Sequence, residues 1–188
     1  MLKFLGYFSQ VQDTTWQTSL LEERKNNAWW IATLRLVGVS VMLTLSAWQA
    51  LVIGLSDWQA TLPTLAIYAL TALLLWLGMW RMNKARENAG LSLALIDVPI
   101  IFWLQWQTIP LSFSPGSAAT VTGVAYALCI VLAAMSLLPR LIWIVTLTSA
   151  CALFLLVQHA GLSVVSSATA PILLLLLGAG AHFMVSRV

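Results

Sequence analysis

Long apolar runs alternate with short polar breaks along this chain, and the length of the runs decides what they are. A helix rises about 1.5 Å per residue and a bilayer's hydrocarbon core is about 30 Å thick, so a spanning helix needs about 20 mainly apolar residues. Six runs reach or approach that length, at 29–54, 61–80, 91–107, 118–138, 141–160 and 167–184. Loop chemistry closes each of them. Ser56, Asp57 and Pro63 divide the first two, the charged stretch 81–88 the next pair, and the segment from Pro110 to Ser117 the third and fourth. Between the fourth and fifth only Pro139 and Arg140 turn the chain, because proline lacks a backbone donor and disfavours helix in the residue before it. A closed barrel would need alternating strands of about 10 residues, which these runs do not resemble. The pattern predicts an all-α, polytopic membrane protein with six transmembrane helices, divided into an N-terminal segment (1–28) and a six-helix domain (29–188).

Composition agrees with a bilayer as solvent and first partner. With 61% hydrophobic and 8% charged residues and a mean hydropathy of +0.92, too few polar groups exist to cover a water-soluble globule. The net charge of +3 does not indicate nucleic acid, because the basic residues stand in bands beside the apolar runs. Lys3, Arg24 and Lys25 precede the first run, Arg81, Lys84 and Arg86 follow the second, Arg140 separates the fourth and fifth, and Arg187 follows the sixth. The opposite loops carry no Lys or Arg, so both termini are expected in the cytoplasm. Tryptophans fit the same orientation as headgroup-level belts, with Trp29, Trp30, Trp76, Trp80 and Trp143 inside and Trp48, Trp58, Trp103 and Trp106 outside. A tryptophan cage for a cofactor is the sharper and weaker reading. Cys129 and Cys151 form no C-x-x-C pair and read as packing residues.

The first 28 residues are apolar in places but have too few apolar residues to span, and they lack the more strongly basic start and small-residue cleavage site of a signal peptide. They read as an interfacial or cytoplasmic segment. Ser19 and Glu22 have capping-box spacing, which would start the first membrane helix near Ser19.

Two charges fall well inside apolar runs. Arg35 lies five residues past Trp30 and Asp97 six past Leu91, which places both roughly 8–9 Å inward from the same face. Each would cost about 2.5–3.5 kcal/mol at a helix centre. Ala32, Arg35, Gly38, Met42, Ser46 and Gln49 share one helix stripe, and Gly90, Ala94, Asp97, Ile101 and Gln105 another, a small-and-polar pattern that favours helix contact. An intramembrane ion pair between Arg35 and Asp97 follows. Arg35 could instead snorkel to the headgroups, but the Asp97 side chain is too short for that. Pro99 cannot donate to the carbonyl of Leu95, so it is expected to bend the third helix beside Asp97, as a hinge or as a static kink. Gly178 and Gly180 read as helix-packing positions in the sixth run.

Catalytic vocabulary is missing: no G-x-S-x-G, H-E-x-x-H or phosphate-loop motif occurs, and His159 and His182 belong to opposite ends of their helices. No catalytic residue, metal or cofactor is expected, and the chain itself is not read as an enzyme. A small proton-coupled transporter using Asp97 is the alternative. Against it, the two three-helix halves do not show the matched interruptions of an inverted repeat.

The arginine in the first run (Trp30-Ile31-Ala32-Thr33-Leu34-Arg35), the basic loop 81–86 and Asp97-Val98-Pro99-Ile100-Ile101-Phe102 together resemble the N-terminal six-helix membrane module of bacterial class III adenylate or guanylate cyclases. The likeness covers most of residues 20–188. It implies a module of the bacterial inner membrane that anchors, helps to homodimerise and senses an unidentified ligand or stimulus. It further implies cAMP or cGMP signalling through a soluble C-terminal output domain, which this sequence does not include. Related modules precede diguanylate cyclases and histidine kinases.

Overall fold

The computed structural model describes the backbone of residues 2–81, 89–112, 114–162 and 164–187, and the side chains at 19, 22–55, 58–81, 90–112, 114–116, 118–162 and 167–187. Lys84 and Arg86 lie outside the described residues, as do the side chains of Lys3 and Asp57. Among the described residues the structure is all-helical, without strands.

Six helices are long and apolar enough to cross a membrane. α1 (Leu2–Trp48) continues into a π turn (Gln49–Ile53) that ends at Gly54, whose φ of 80° is the left-handed conformation glycine adopts freely at a helix end. The side-chain amide of Gln59 donates to the carbonyl of Ala50 and so covers one of the carbonyls that end leaves over. Ser19 lies inside α1 and does not start a helix. A capping box needs a non-helical first residue, and no proline or glycine interrupts the chain between Tyr7 and Val37. α2 (Ser56–Arg81) carries Pro63 inside it, two turns from its start, where the donor to the carbonyl of Gln59 is missing.

α3 runs Gly90–Leu111 and is the least regular helix. A π turn (Leu93–Asp97) precedes the α-helical stretch Val98–Thr108, and a 3₁₀ turn (Ile109–Leu111) ends it. α4 (Pro115–Met135), α5 (Pro139–His159) and α6 (Val164–Val185) each follow a short connection. The α4–α5 corner is as tight as its Pro139 implied. Leu137 takes a φ of 55°, the one non-glycine residue described with positive φ. Two side chains of α1 hold that corner, Asn27 donating to the carbonyl of Met135 (2.9 Å) and Arg24 to that of Leu137 (3.1 Å).

α5 is the central helix, with half of its apolar window buried against 17% for α1 and for α6. Its inward side, including Val145, Leu153 and Leu156, packs with Tyr126, Ile130 and Ala133 of α4. The outer circumference is apolar: Leu51, Leu74, Val124, Leu173 and Met184 are all exposed. Water would penalise such a surface and a bilayer would not. The alternation of directions brings Arg24, Arg81, Arg140 and Arg187 to one end of the bundle, the basic end.

Candidate functional site

The interior of the first three helices holds one polar cluster. Arg35 of α1 and Asp97 of α3 form an ion pair, with 2.6 Å from Nη2 to Oδ2, and both side chains are almost completely buried. The same Nη2 donates to Ser92 Oγ at 2.8 Å. The hydroxyl of Tyr68, from α2, donates to the other carboxylate oxygen of Asp97. Asp97 is therefore held from two sides, by a cation and by a phenol. In an interior of low dielectric such pairing offsets part of the cost of burying charge, while Nε and Nη1 of Arg35 have no hydrogen-bond partner among the described residues.

The π turn builds this site. In a regular α-helix Ser92 and Asp97, five residues apart, would point about 140° away from each other. In a π turn the hydrogen bond runs from residue i to i+5, and the Val98 N–H indeed bonds to the carbonyl of Leu93. Residues five apart then lie nearly above one another, so Ser92 and Asp97 both reach the Arg35 guanidinium. Pro99 stands at the start of the α-helical stretch that follows, where its missing N–H and its ring are accommodated by the wide turn. The irregularity expected of Pro99 thus takes the form of an extra residue in the turn that carries Asp97.

The two sequence stripes meet the interior unequally. Ala32, Arg35 and Ser46 are buried, but Gly38 and Met42 are exposed and Val39 takes the inward place between them. An α-helix drifts from a simple spacing by three and four over several turns, so the buried stripe runs Ala32, Arg35, Val39, Ser46, Ala50. On α3, Gly90, Ala94 and Asp97 are buried and Ile101 and Gln105 half-buried. Gly178 lies in direct contact with α5. A Cβ added there would stand 2.8 Å from the Cβ of Thr146 and overlap the rest of that side chain. Gly180 has nothing within 4 Å of an added Cβ, because two residues along a helix are about 200° apart and the pair cannot face one neighbour.

A second polar feature lies further along the same three helices, toward the end opposite the basic one. A cavity of about 310 Å³ opens between α1, α2, α3 and the start of α4. Ser46, Thr61, Gln105 and Thr108 lie on its wall, with Met42 and Leu65 among its apolar neighbours. At the ends of the bundle the two histidines stack on tryptophans, His159 on Trp106 with ring centroids 3.8 Å apart and His182 beside Trp143 at 5.5 Å. Cys129 is buried and Cys151 exposed. Among the described residues no three His, Cys, Asp or Glu side chains converge on a possible metal position.

Tyr68 and Ser92 are the cluster members that sequence reasoning missed. Tyr68 had a signal, being a polar-tipped aromatic on the same α2 face as Thr61 and Leu65. Ser92 had none, since α-helical geometry turns it away from Asp97. No protein-family model, no curated protein and no solved structure matches the chain.

Proposed function

We propose that this chain is the membrane-anchoring, dimerising and sensory module of a bacterial class III nucleotide cyclase, lying in the inner membrane with both termini in the cytoplasm. One observation carries the reading: the buried Arg35–Asp97 pair sits on a π turn directly before Pro99. A buried ion pair contributes little net stability but discriminates strongly between packings, because any arrangement that separates its members strands a charge. A π turn has a neighbouring state, the plain α turn, reached by passing on one residue. That step rotates one side of the helix against the other by about 100° and shifts it by about 1.5 Å. Together they form a two-state element, which is what a signal-transmitting module requires. Because α1 is unbroken from Leu2 to Trp48, its residues 2–28 would extend from the first span into the cytoplasm, and the gathering of arginines at the basic end supports the orientation.

The test is a fusion in which a class III cyclase catalytic domain follows α6 in continuous helical register. Enforced pairing of the module should raise cyclic-nucleotide output. Asp97→Asn and Pro99→Ala should shift output severalfold at constant abundance. Single cysteines at Ser114 and Lys84, in a cysteine-free background, should react with an impermeant thiol reagent from outside at 114 only. Proton or solute flux by the isolated chain in liposomes, lost in Asp97→Asn, together with a fusion indifferent to changes at 97 and 99, would replace this reading with a proton-coupled carrier.

A further inference from the structure

We infer that the cavity between α1, α2, α3 and the start of α4 is a binding site for a small, uncharged lipophile carrying a hydroxyl group, an alcohol or a phenol. The volume of about 310 Å³ stands at the lower end of the roughly 300–1,000 Å³ range of small-molecule sites. No Lys, Arg, Asp, Glu or His is on the wall, so a charged ligand would be desolvated without a partner. The wall nevertheless carries hydroxyl and amide groups at Ser46, Thr61, Gln105 and Thr108, more hydrogen-bonding capacity than a bare hydrocarbon chain can use.

The state of those hydroxyls specifies the ligand. Thr61 donates to the carbonyl of Trp58 at 2.9 Å, and Thr108 to that of Leu104 at 3.1 Å. Each has committed its hydrogen to its own helix and offers only lone pairs to the cavity. Ser46 is different. It is completely buried, and among the described residues its Oγ has no hydrogen-bond partner, whereas Thr33 and Thr44 on the same helix bond back to the preceding turn. A buried hydroxyl left unpaired costs about 1–3 kcal/mol. A ligand hydroxyl would donate to a threonine lone pair and accept from Ser46, while Met42, Leu65 and Leu104 contact its apolar body.

The cavity is also stacked on the ion cluster. Ser46 follows Arg35 by 11 residues, Leu104 and Thr108 follow Asp97 by 7 and 11, and Thr61 precedes Tyr68 by 7. These spacings return to the same helix face, roughly 10–17 Å along the axis. A ligand that spreads or tightens α1, α2 and α3 at the cavity therefore acts on the helices that carry the Arg35–Asp97 pair. The inference supplies the ligand class for the sensory reading and rests on that reading only for what binding does, since binding is measured on the isolated chain.

The experiment uses the full chain in lipid nanodiscs with three probes, 2-naphthol, its donor-free analogue 2-methoxynaphthalene, and naphthalene, read by saturation-transfer NMR and by protection against thermal unfolding. 2-Naphthol should bind saturably and about tenfold more tightly than either analogue. Ser46→Ala and Thr61→Val should each weaken it about fivefold, the effect of one hydrogen bond. Ala118→Phe, which fills the cavity, should abolish binding; if that variant does not fold, Ser46→Ala and Thr61→Val decide. Equal binding of the three probes, or 2-naphthol affinity unchanged in Ser46→Ala and Thr61→Val, would overturn the inference. A fused cyclase silent to 2-naphthol despite specific binding would count against the sensory reading and leave the site standing.

Discussion

The two halves of the bundle are held together by different chemistry. α1, α2 and α3 meet around Arg35, Tyr68, Ser92 and Asp97, with a small apolar cluster of Ala28 and Ala32 against Met79 and Trp76 beside it. α4, α5 and α6 meet through apolar and small side chains, with Gly178 pressed onto Thr146 and Gly123 packed against Leu153 at 3.6 Å from an added Cβ. In a bilayer the hydrophobic effect does not drive helices together, so both halves depend on van der Waals fit and the N-terminal one adds electrostatic pairing. Fit is graded, since a small displacement loses a little of it. The ion cluster is closer to all-or-none, because separating its members leaves a buried charge uncompensated. The C-terminal half is thus suited to be the scaffold and the N-terminal half to be the part that switches.

The largest expected effect breaks the first half alone. Arg35→Leu or Asp97→Leu should each lower stability by on the order of 3–5 kcal/mol, the general effect of removing one partner of a buried pair. The double change should be much milder than the sum of the two, and thermal unfolding in detergent over the complete mutant cycle measures the difference. Additive losses would mean that the pair is not what joins α1 to α3.

Tyr68→Phe sharpens the same half by removing one hydrogen bond to a charged group while keeping the ring. A loss of about 1.5–3 kcal/mol is expected, and most of it should vanish when Asp97 is already leucine. Denaturation of the single and double variants checks both figures.

Gly178→Leu probes the other half by overpacking α6 against α5, at about 1–3 kcal/mol. Shortening the opposing side chain with Thr146→Ala should recover part of it. Gly180→Leu, on the open side, should change intrachain stability by no more than about 0.5 kcal/mol. If the proposed dimer forms and Gly180→Leu converts it to monomer in size-exclusion with light scattering, that side of α6 would be the dimer contact.

A single hydrogen bond tests the link between the halves. Asn27→Ala removes the bond to the Met135 carbonyl at the α4–α5 corner and should lower stability by about 1 kcal/mol. Hydrogen exchange at residues 136–138 should rise in step, and an unchanged corner would mean that α1 does not brace it.

What the sequence determined by itself is whatever follows from length and period. The number of spanning helices follows, and so do their limits to within about five residues except at the start of α1, which is helical from Leu2, because a run of about 20 apolar residues flanked by loop chemistry has few other structures available. Matched depth also placed Arg35 and Asp97 close enough to meet. Tertiary structure alone decided the rest. Ser92 joins the cluster only because the helix widens into a π turn at 93–97, and nothing in an α-helical wheel places residues five apart on one face. Gly38 and Gly180 looked equivalent to Gly178 as small residues in apolar runs, yet which glycine meets a neighbour depends on the rotation of each helix in the bundle, a quantity no single stretch of chain contains. The hold of Asn27 and Arg24 on the α4–α5 corner, 108 and 113 residues away, likewise arises only when the fold brings the start of α1 beside it. Local sequence sets what a helix is, and its neighbours set which side of it is inside.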